Sequence, residues 1–178
     1  QDLARQLPAD ETARLHTLRG LGLLDTPAEA PWDSLVRCAA LVTGCPTAVI
    51  TLVDESRQWF KARVGLDVCE TSRDVAFCAH AILHDDALVI EDSHLDFRFA
   101  DNPVVLQPPF IRFYAGHPLV SHEGAPLGAL CVLDHRPRRL EPEQPQAGRR
   151  SAGSRWPGLR RRGWRRVRLG CCRRLPTI

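Results

Sequence analysis

Apolar residues in the first part of the chain recur every three or four positions, which is the period of an amphipathic helix. Asp10 is a good N-cap, and it predicts a first helix that ends near Gly22. The apolar face of that helix carries Leu15, Leu18 and Leu21. Because proline fits the first turn of a helix, a second helix is predicted from about Pro31 to Gly44. Its apolar face carries Trp32, Leu35, Val36 and Ala39.

The pattern then becomes that of β-strands. Thr47 to Val53 is rich in β-branched residues and apolar on both faces, which predicts a central strand. A polar turn leads from it into the alternating segment Gln58 to Val64, so these two strands are expected to form a β-hairpin. A second hairpin is predicted from Ile111 to Val120 and Leu127 to Leu133, on either side of a polar turn.

The segment between the hairpins is less regular. Asp74 is predicted to cap a short helix over Val75 to Leu83, and a brief strand follows from Ala87 to Ile90. Glu91 to Pro109 is a long polar loop, and long loops inside compact domains often carry function. Antiparallel hairpins combined with helices predict an α+β fold rather than a purely parallel α/β arrangement.

The composition of the 178 residues is that of one soluble globular domain, at 44% hydrophobic and 25% charged. No apolar run approaches the roughly 20 residues that cross a bilayer. The N-terminal segment lacks the basic start and apolar stretch of a secretory signal, so we expect a cytoplasmic protein. Five of the seven cysteines are scattered without close pairing, which predicts reduced thiols that pack as small apolar residues.

The net charge of +3 conceals a division along the chain. Residues 1–144 carry a net charge of −8, whereas residues 145–178 carry 11 arginines and no acidic residue. Such a tail could bind nucleic acid or an anionic membrane, with Trp156 and Trp164 at the interface. Its low hydrophobicity and high charge also predict disorder. Because its main residue types have GC-rich codons, we favour an out-of-frame product over a functional arm.

Six segments resemble bacterial GAF domains, and together they cover about residues 9–140. In chain order they are LGLLDTP at 21–27, RQWFKARVGL at 57–66, AFCAHAIL at 76–83, FRFADNP at 97–103, IRFYAGHPL at 111–119 and GAPLGALCVLD at 124–134. The resemblance implies a central antiparallel sheet of five or six strands with helices packed on it. We accordingly divide the chain into an N-terminal extension (1–8), a GAF domain (9–144) and the arginine-rich tail (145–178).

The same resemblance implies a sensory or regulatory role rather than catalysis. GAF domains similar to this one commonly precede histidine-kinase or diguanylate-cyclase output domains. The expected partners are therefore a second copy of the chain in a homodimer, an output domain on the same or another chain, and an unidentified small ligand. Nucleic acid is expected as a partner only if the arginine-rich tail is genuine.

Seven residues are candidates for a ligand pocket. The resemblance places Asp92, Arg98, Phe99 and Asn102 where GAF relatives build the wall of their cavity. Apolar walls and a hydrogen-bonding group are expected from Phe77, His80 and Tyr114, although plain core packing explains these three better. For Arg98 we favour an internal ion pair, with Asp92 or Asp101, over direct contact with a ligand.

Cofactor and metal sites are not indicated. Bilin-binding relatives attach the chromophore through a cysteine followed directly by histidine, but here Ala79 separates Cys78 from His80, which argues against covalent bilin. His80 and His84 have chelating spacing but lack further fixed ligands. The alternating polar residues Asp92, His94, Asp96 and Arg98 fit a solvated face equally well.

The enzymatic alternative is free methionine-R-sulfoxide reductase, a GAF-fold enzyme with nucleophilic and resolving cysteines around its cavity. Cys78 could be one of these thiols. The stretch from Asn102 to Arg112 contains no cysteine, so a second thiol close enough to form a disulfide is missing. No residue is therefore assigned a catalytic role, and Cys78 is kept only as a weak redox candidate.

Overall fold

The structure is a computed structural model, and it describes residues 7–139. Within this range the chain forms helices α1–α4 and strands β1–β6. The helices are α1 (Glu11–Gly20), α2 (Ala30–Thr43), α3 (Phe77–Ala81) and α4 (Pro103–Leu106). The strands are β1 (Thr47–Val53), β2 (Arg57–Val64), β3 (Glu70–Ser72), β4 (Leu88–Ile90), β5 (Phe113–Val120) and β6 (Pro126–Asp134).

The strands form one sheet of six in the order β3-β2-β1-β6-β5-β4, and the paired neighbours are antiparallel. Helices pack on both faces, so the predicted α+β fold with five or six antiparallel strands is confirmed. Strand β1 is buried along its whole length and lies between β2 and β6. This confirms the central strand that its two apolar faces predicted.

The first two helices follow the sequence signals closely. The carboxylate of Asp10 accepts a hydrogen bond of 3.0 Å from the Ala13 N–H, which is the predicted cap of α1. Helix α2 has Pro31 in its first turn and ends at Gly44, whose φ of 65° lies in the left-handed region that glycine tolerates. Both helices lie on the same face of the sheet, which we call the outer face. Val36 of α2 is buried there against β1 and β2.

Buried ion pairs fasten this helical region to the sheet. The Glu11 carboxylate accepts hydrogen bonds from Arg14 at 2.7 and 2.8 Å and from Arg73 at 2.5 Å. The two arginine side chains are only 1% and 7% exposed. Although burial alone would raise the pKa of Glu11, the hydrogen bonds and charges of both arginines hold it below its ordinary value. On β2, the equally buried Lys61 is bonded to Glu29 and to the hydroxyl of Thr26.

The middle of the chain departs from the prediction in three places. Strand β3 was not predicted, because its three residues carry no periodic signal and it exists by pairing with β2. The prediction that Asp74 caps a helix was wrong. The Ser72 hydroxyl accepts a hydrogen bond of 3.3 Å from the Asp74 N–H and caps a 3-10 turn. Ala76 is extended (φ −79°, ψ 119°), so helix α3 starts after it and is shorter than expected.

The long loop is partly ordered into helical turns. It contains a 3-10 turn at Ser93–Leu95 and the short helix α4, whose N-cap is Asn102. Three cysteines, Cys45, Cys78 and Cys131, are buried as expected of small apolar residues. The same expectation is wrong for Cys38 and Cys69, which are exposed on the open face of α2 and in the turn before β3.

No helix within residues 7–139 combines the length and the apolar character needed to cross a membrane. The predictions made for the tail at 145–178, and for most of the N-terminal extension, fall outside the described residues.

Candidate functional site

Asp92 and Arg98, which the sequence suggested as an ion pair, each have another partner. Asp92 accepts two hydrogen bonds from the guanidinium of Arg112, at 2.9 and 2.8 Å. These bonds hold the pKa of Asp92 below its usual range. Its carboxylate also accepts from the His94 N–H at 3.1 Å and so caps the 3-10 turn. Asp92 therefore joins the loop to the start of β5.

Arg98 is paired within its own turn. Its guanidinium donates to the two carboxylate oxygens of Asp96, at 2.9 and 2.6 Å, while the Arg98 backbone N–H donates to the same carboxylate at 3.0 Å. The prediction of an internal ion pair is confirmed, but both predicted partners were wrong. Asp92 is bound by Arg112, and Asp101 is exposed. A turn spanning two residues brings Asp96 to Arg98 more directly than either alternative.

Four of the candidate residues form an aromatic cluster under the inner face of the sheet, made of Phe77, His80, Phe99 and Tyr114. Phe77 stacks on Phe99 with ring centroids 4.2 Å apart, and Tyr114 lies 5.2 Å from Phe77. His80 meets Phe99 edge-on at 4.7 Å. Burial lowers the pKa of His80, and the positive charge of Arg98 lowers it further, so the imidazole is neutral at pH 7.

Arg98 connects this cluster to the surface. Its guanidinium carbon lies 5.3 Å from the centre of the Phe99 ring, within cation–π distance. Asn102 does not reach the cluster by any of its hydrogen bonds. Its amide donates to the Val75 carbonyl at 3.2 Å, and its side-chain oxygen accepts from the Val104 N–H at 3.1 Å. Through these hydrogen bonds Asn102 connects the long loop to the turn before α3.

A cleft of about 780 Å³ lies beside Arg98 at the protein surface. Asp92, Asp96 and Arg98 line one side of this Arg98 cleft, and Pro137 and Arg138 belong to the lining contributed by the end of the described chain. Two of its apolar lining residues, Leu95 and Phe97, are 85% and 83% exposed. The Arg98 cleft therefore combines fixed charges with apolar surface that the described residues leave uncovered.

The second thiol that the sequence interpretation did not find lies on β6. Cys131 Sγ is 3.5 Å from Cys78 Sγ, and the Tyr114 hydroxyl donates a hydrogen bond of 3.2 Å to Cys78. This thiol lies outside Asn102–Arg112, the stretch in which a partner for Cys78 was expected. Because alternate residues of a strand share a face, the pattern of Leu127 to Leu133 already places Cys131 and Ala129 on one side. The alternating pattern does not show that α3 packs on that side of the strand.

Metal-ligating side chains are not gathered in the same way. Within residues 7–139, no three His, Cys, Asp or Glu side chains come close enough together to hold a metal ion. His80 packs against Phe99 in the aromatic cluster, and the carboxylate of Asp92 is paired with Arg112.

Comparison with known proteins identifies the fold family. The sequence model of the GAF domain family matches residues 3–147. The chain belongs to the GAF domain family. A curated relative, a cyclic di-GMP phosphodiesterase of Pseudomonas aeruginosa, is 44% identical over 131 residues. Those residues are 74% of this chain and 22% of the relative, so the GAF domain matches about a fifth of that protein.

This GAF domain is also similar to solved structures of low sequence identity. A free methionine-R-sulfoxide reductase from Neisseria meningitidis, solved with its substrate, gives a TM-score of 0.51 at 15% identity, covering 71% of this chain and 74% of that one. The GAF domain of an Acinetobacter phosphoenolpyruvate-protein phosphotransferase gives a TM-score of 0.48 at 20% identity, covering 71% and 80%. The likeness to the Neisseria meningitidis structure, at 15% identity, supports the fold and does not assign chemistry.

Proposed function

We propose that this GAF domain is a regulatory input module of a bacterial signalling protein. It binds a small ligand and passes the bound state to an output domain such as a histidine kinase, a diguanylate cyclase or a cyclic di-GMP phosphodiesterase. The observation that carries the proposal is the match to the Pseudomonas aeruginosa phosphodiesterase, which is close in sequence yet confined to 22% of that protein. A segment that recurs as one part of a larger enzyme supports a regulatory role.

The Arg98 cleft is the proposed ligand site. Its volume of about 780 Å³ lies within the range of small-molecule pockets, roughly 300 to 1,000 Å³. Leu95 and Phe97 offer apolar contact to a ligand, and the Arg98 guanidinium is held in place by Asp96. The guanidinium of Arg98 lies over the ring of Phe99, which belongs to the aromatic cluster. A ligand that contacts Arg98 therefore acts on a side chain that touches the core. Asp92 and Asn102 contribute to the site indirectly, because their hydrogen bonds hold the loop that carries Arg98.

Arg98→Ala is expected to remove ligand binding. The full chain would be screened by thermal unfolding against a panel of free amino acids, nucleotides and cyclic nucleotides. A ligand at a hundredfold excess over its Kd stabilises the native state by about 2.7 kcal/mol, which is a rise in Tm of roughly 5 °C or more. Because Arg98 supplies a fixed cation to the cleft, we expect the rise to disappear in this variant.

Arg37→Ala is the matched control for that experiment. Arg37 is exposed on α2, away from the cleft, and its guanidinium is bonded to a backbone carbonyl in its own helix. This variant is expected to keep the full rise in Tm. A ligand that stabilises Arg98→Ala as strongly as the unmodified chain would show that it binds elsewhere.

Signal transfer through a homodimer is the second part of the proposal. Helix α2 leaves Leu41 and Val42 exposed by 83% and 59%, which is apolar surface that a second copy of the chain would cover. The homodimer itself stays a prediction.

Methionine sulfoxide reduction is the second candidate function, because the Cys78 and Cys131 sulfurs are close enough to act as a nucleophilic and a resolving thiol. Burial opposes it, since the two residues are 2% and 1% exposed and an amino acid cannot reach either sulfur. We expect the full chain with dithiothreitol to leave free methionine-R-sulfoxide unreduced, as measured by amino-acid chromatography. Turnover that is lost in Cys78→Ser would replace the regulatory proposal with an enzymatic one.

A further inference from the structure

Two thiols from distant parts of the chain meet in the core. Cys78 on α3 and Cys131 on β6 are 53 residues apart, and their sulfur atoms are 3.5 Å apart. The bond in a disulfide is about 2.05 Å long, so the sulfurs would have to approach each other by about 1.5 Å. A change of this size is within reach of side-chain rotation and a small shift of the five-residue helix α3.

We propose that Cys78 and Cys131 form a redox-modification site, in which a peroxide oxidises this thiol pair to a reversible disulfide that ties α3 to β6. The proposal does not depend on the identity of the ligand at the Arg98 cleft.

The surroundings of the two sulfurs distinguish the attacking thiol from the resolving one. The Tyr114 hydroxyl donates to Cys78 at 3.2 Å, and a donor that points at a sulfur favours its thiolate. Burial raises the pKa of Cys78, but hydrogen bonds from Cys131, Thr51 and Tyr114 outweigh it and lower that pKa overall. Burial raises the pKa of Cys131 well above its ordinary value. Cys78 is therefore the nucleophile.

The chemistry proceeds in two displacements. The Cys78 thiolate attacks one oxygen of hydrogen peroxide, an S–O bond forms, the O–O bond breaks, and hydroxide leaves and takes up a proton as water. Cys131 then gives up its proton and attacks the sulfur of the sulfenic acid. An S–S bond forms, the S–O bond breaks, and the second hydroxide leaves as water. Two electrons pass from the sulfurs to peroxide, and a dithiol reductant reverses the change.

Burial makes the site selective. Hydrogen peroxide is close in size to water and can enter during small openings of the core, whereas larger thiol reagents are excluded. The third buried thiol, Cys45, packs on the outer face of the sheet against Val36, so it lies on the wrong side to join the pair. Among the thiols of residues 7–139, Cys38 and Cys69 are exposed, and unselective oxidation would reach them before the buried pair.

Disulfide formation would also change the aromatic cluster. Helix α3 carries both Phe77 and His80, so drawing Cys78 toward β6 shifts their rings relative to Phe99. The Cys78 sulfur that accepts the hydrogen bond of the Tyr114 hydroxyl moves at the same time. The oxidised and reduced forms are therefore expected to differ in near-ultraviolet circular dichroism.

Peptide mapping of the full chain tests the proposal. The reduced protein is treated with hydrogen peroxide, its remaining thiols are alkylated after denaturation, and it is digested with trypsin. Peptides 74–98 and 113–138 each contain one cysteine, Cys78 and Cys131 respectively. We expect these two peptides to appear joined, with a mass lower by two hydrogens than their sum, and to separate again after dithiothreitol.

Three variants make the result specific. Cys131→Ala is expected to abolish the joined peptides and leave Cys78 as a sulfenic acid that dimedone traps once the protein is denatured in its presence. Cys69→Ala, the matched control at an exposed thiol, is expected to leave the joining unchanged. Tyr114→Phe keeps the ring but removes the donor, and a severalfold slower oxidation is expected. The proposal is overturned if peptides 74–98 and 113–138 are recovered separately while peptide 64–73, which carries Cys69, is oxidised.

Discussion

A chain with alanine at position 128 is expected to lose its folded sheet. Gly128 lies on β6 opposite Leu52 of β1, where the backbones approach so closely that a Cβ atom would stand 1.7 Å from the Thr51 carbonyl oxygen. Because the obstacle is backbone in the central strand, no rotamer change relieves it. We expect Gly128→Ala to reduce the free energy of unfolding by about 4 kcal/mol or more, at the upper end for single substitutions.

Gly20→Ala makes the same chemical change at a position with no heavy atom within 4 Å of the added Cβ. Gly20 is the last residue of α1, where alanine is the better helix former, so this variant is expected to be as stable as the unmodified chain or slightly more stable. Urea denaturation followed by circular dichroism compares the two. Equal midpoints for both variants would mean that β1 and β6 can separate without cost.

Glu11→Ala is expected to cost about 3 kcal/mol of stability. Glu11 balances the charges of Arg14 and Arg73, whose side chains are almost wholly buried. Removing one member of a buried ion pair leaves an uncompensated charge in the interior, and that typically costs about 3 to 5 kcal/mol. Arg73 keeps a bond to the Asp54 carbonyl, which places our estimate at about the lower limit of that range.

The control for Glu11 is Glu55→Ala. Glu55 pairs with Arg19 at the surface, where the side chains are 72% and 51% exposed, and such pairs contribute little. The Glu11 effect should also depend on pH. Because its folded pKa lies below its unfolded value, the stabilisation is complete above the unfolded value and disappears as pH falls through the folded one. Denaturation midpoints of Glu11→Gln and the unmodified chain are therefore expected to converge progressively as the pH falls below the ordinary pKa of glutamate, about 4.3.

Local signals predicted most of the fold. The cap at Asp10, the proline and glycine at the ends of α2, and the apolar run of β1 each act within a few residues, so the sequence displays them directly. Strand β3 could not be predicted in this way, because its three residues are ordered by the edge of β2. The start of α3 was misplaced because the apolar spacing runs unbroken across the extended residue Ala76.

The candidate site was predicted less completely than the fold. Motif resemblance selected Arg98 and Phe99, and an ion pair was expected at Arg98, but the choice of Asp96 depends on the shape of a turn. Cys131 was missed because its proximity to Cys78 arises from packing between a helix and a strand 53 residues apart. Spacing along one element cannot report a contact between two elements.

The strand order has a consequence for a chain that is still being synthesised. Strands β1 and β6 pair along their length, from Thr47 with Leu133 to Leu52 with Gly128. Until the ribosome has released β6, one edge of β1, whose residues are all buried in the folded domain, has no partner. The nascent domain can then form only the half that holds β1, β2 and β3, and it must remain unaggregated until its last strand closes the gap.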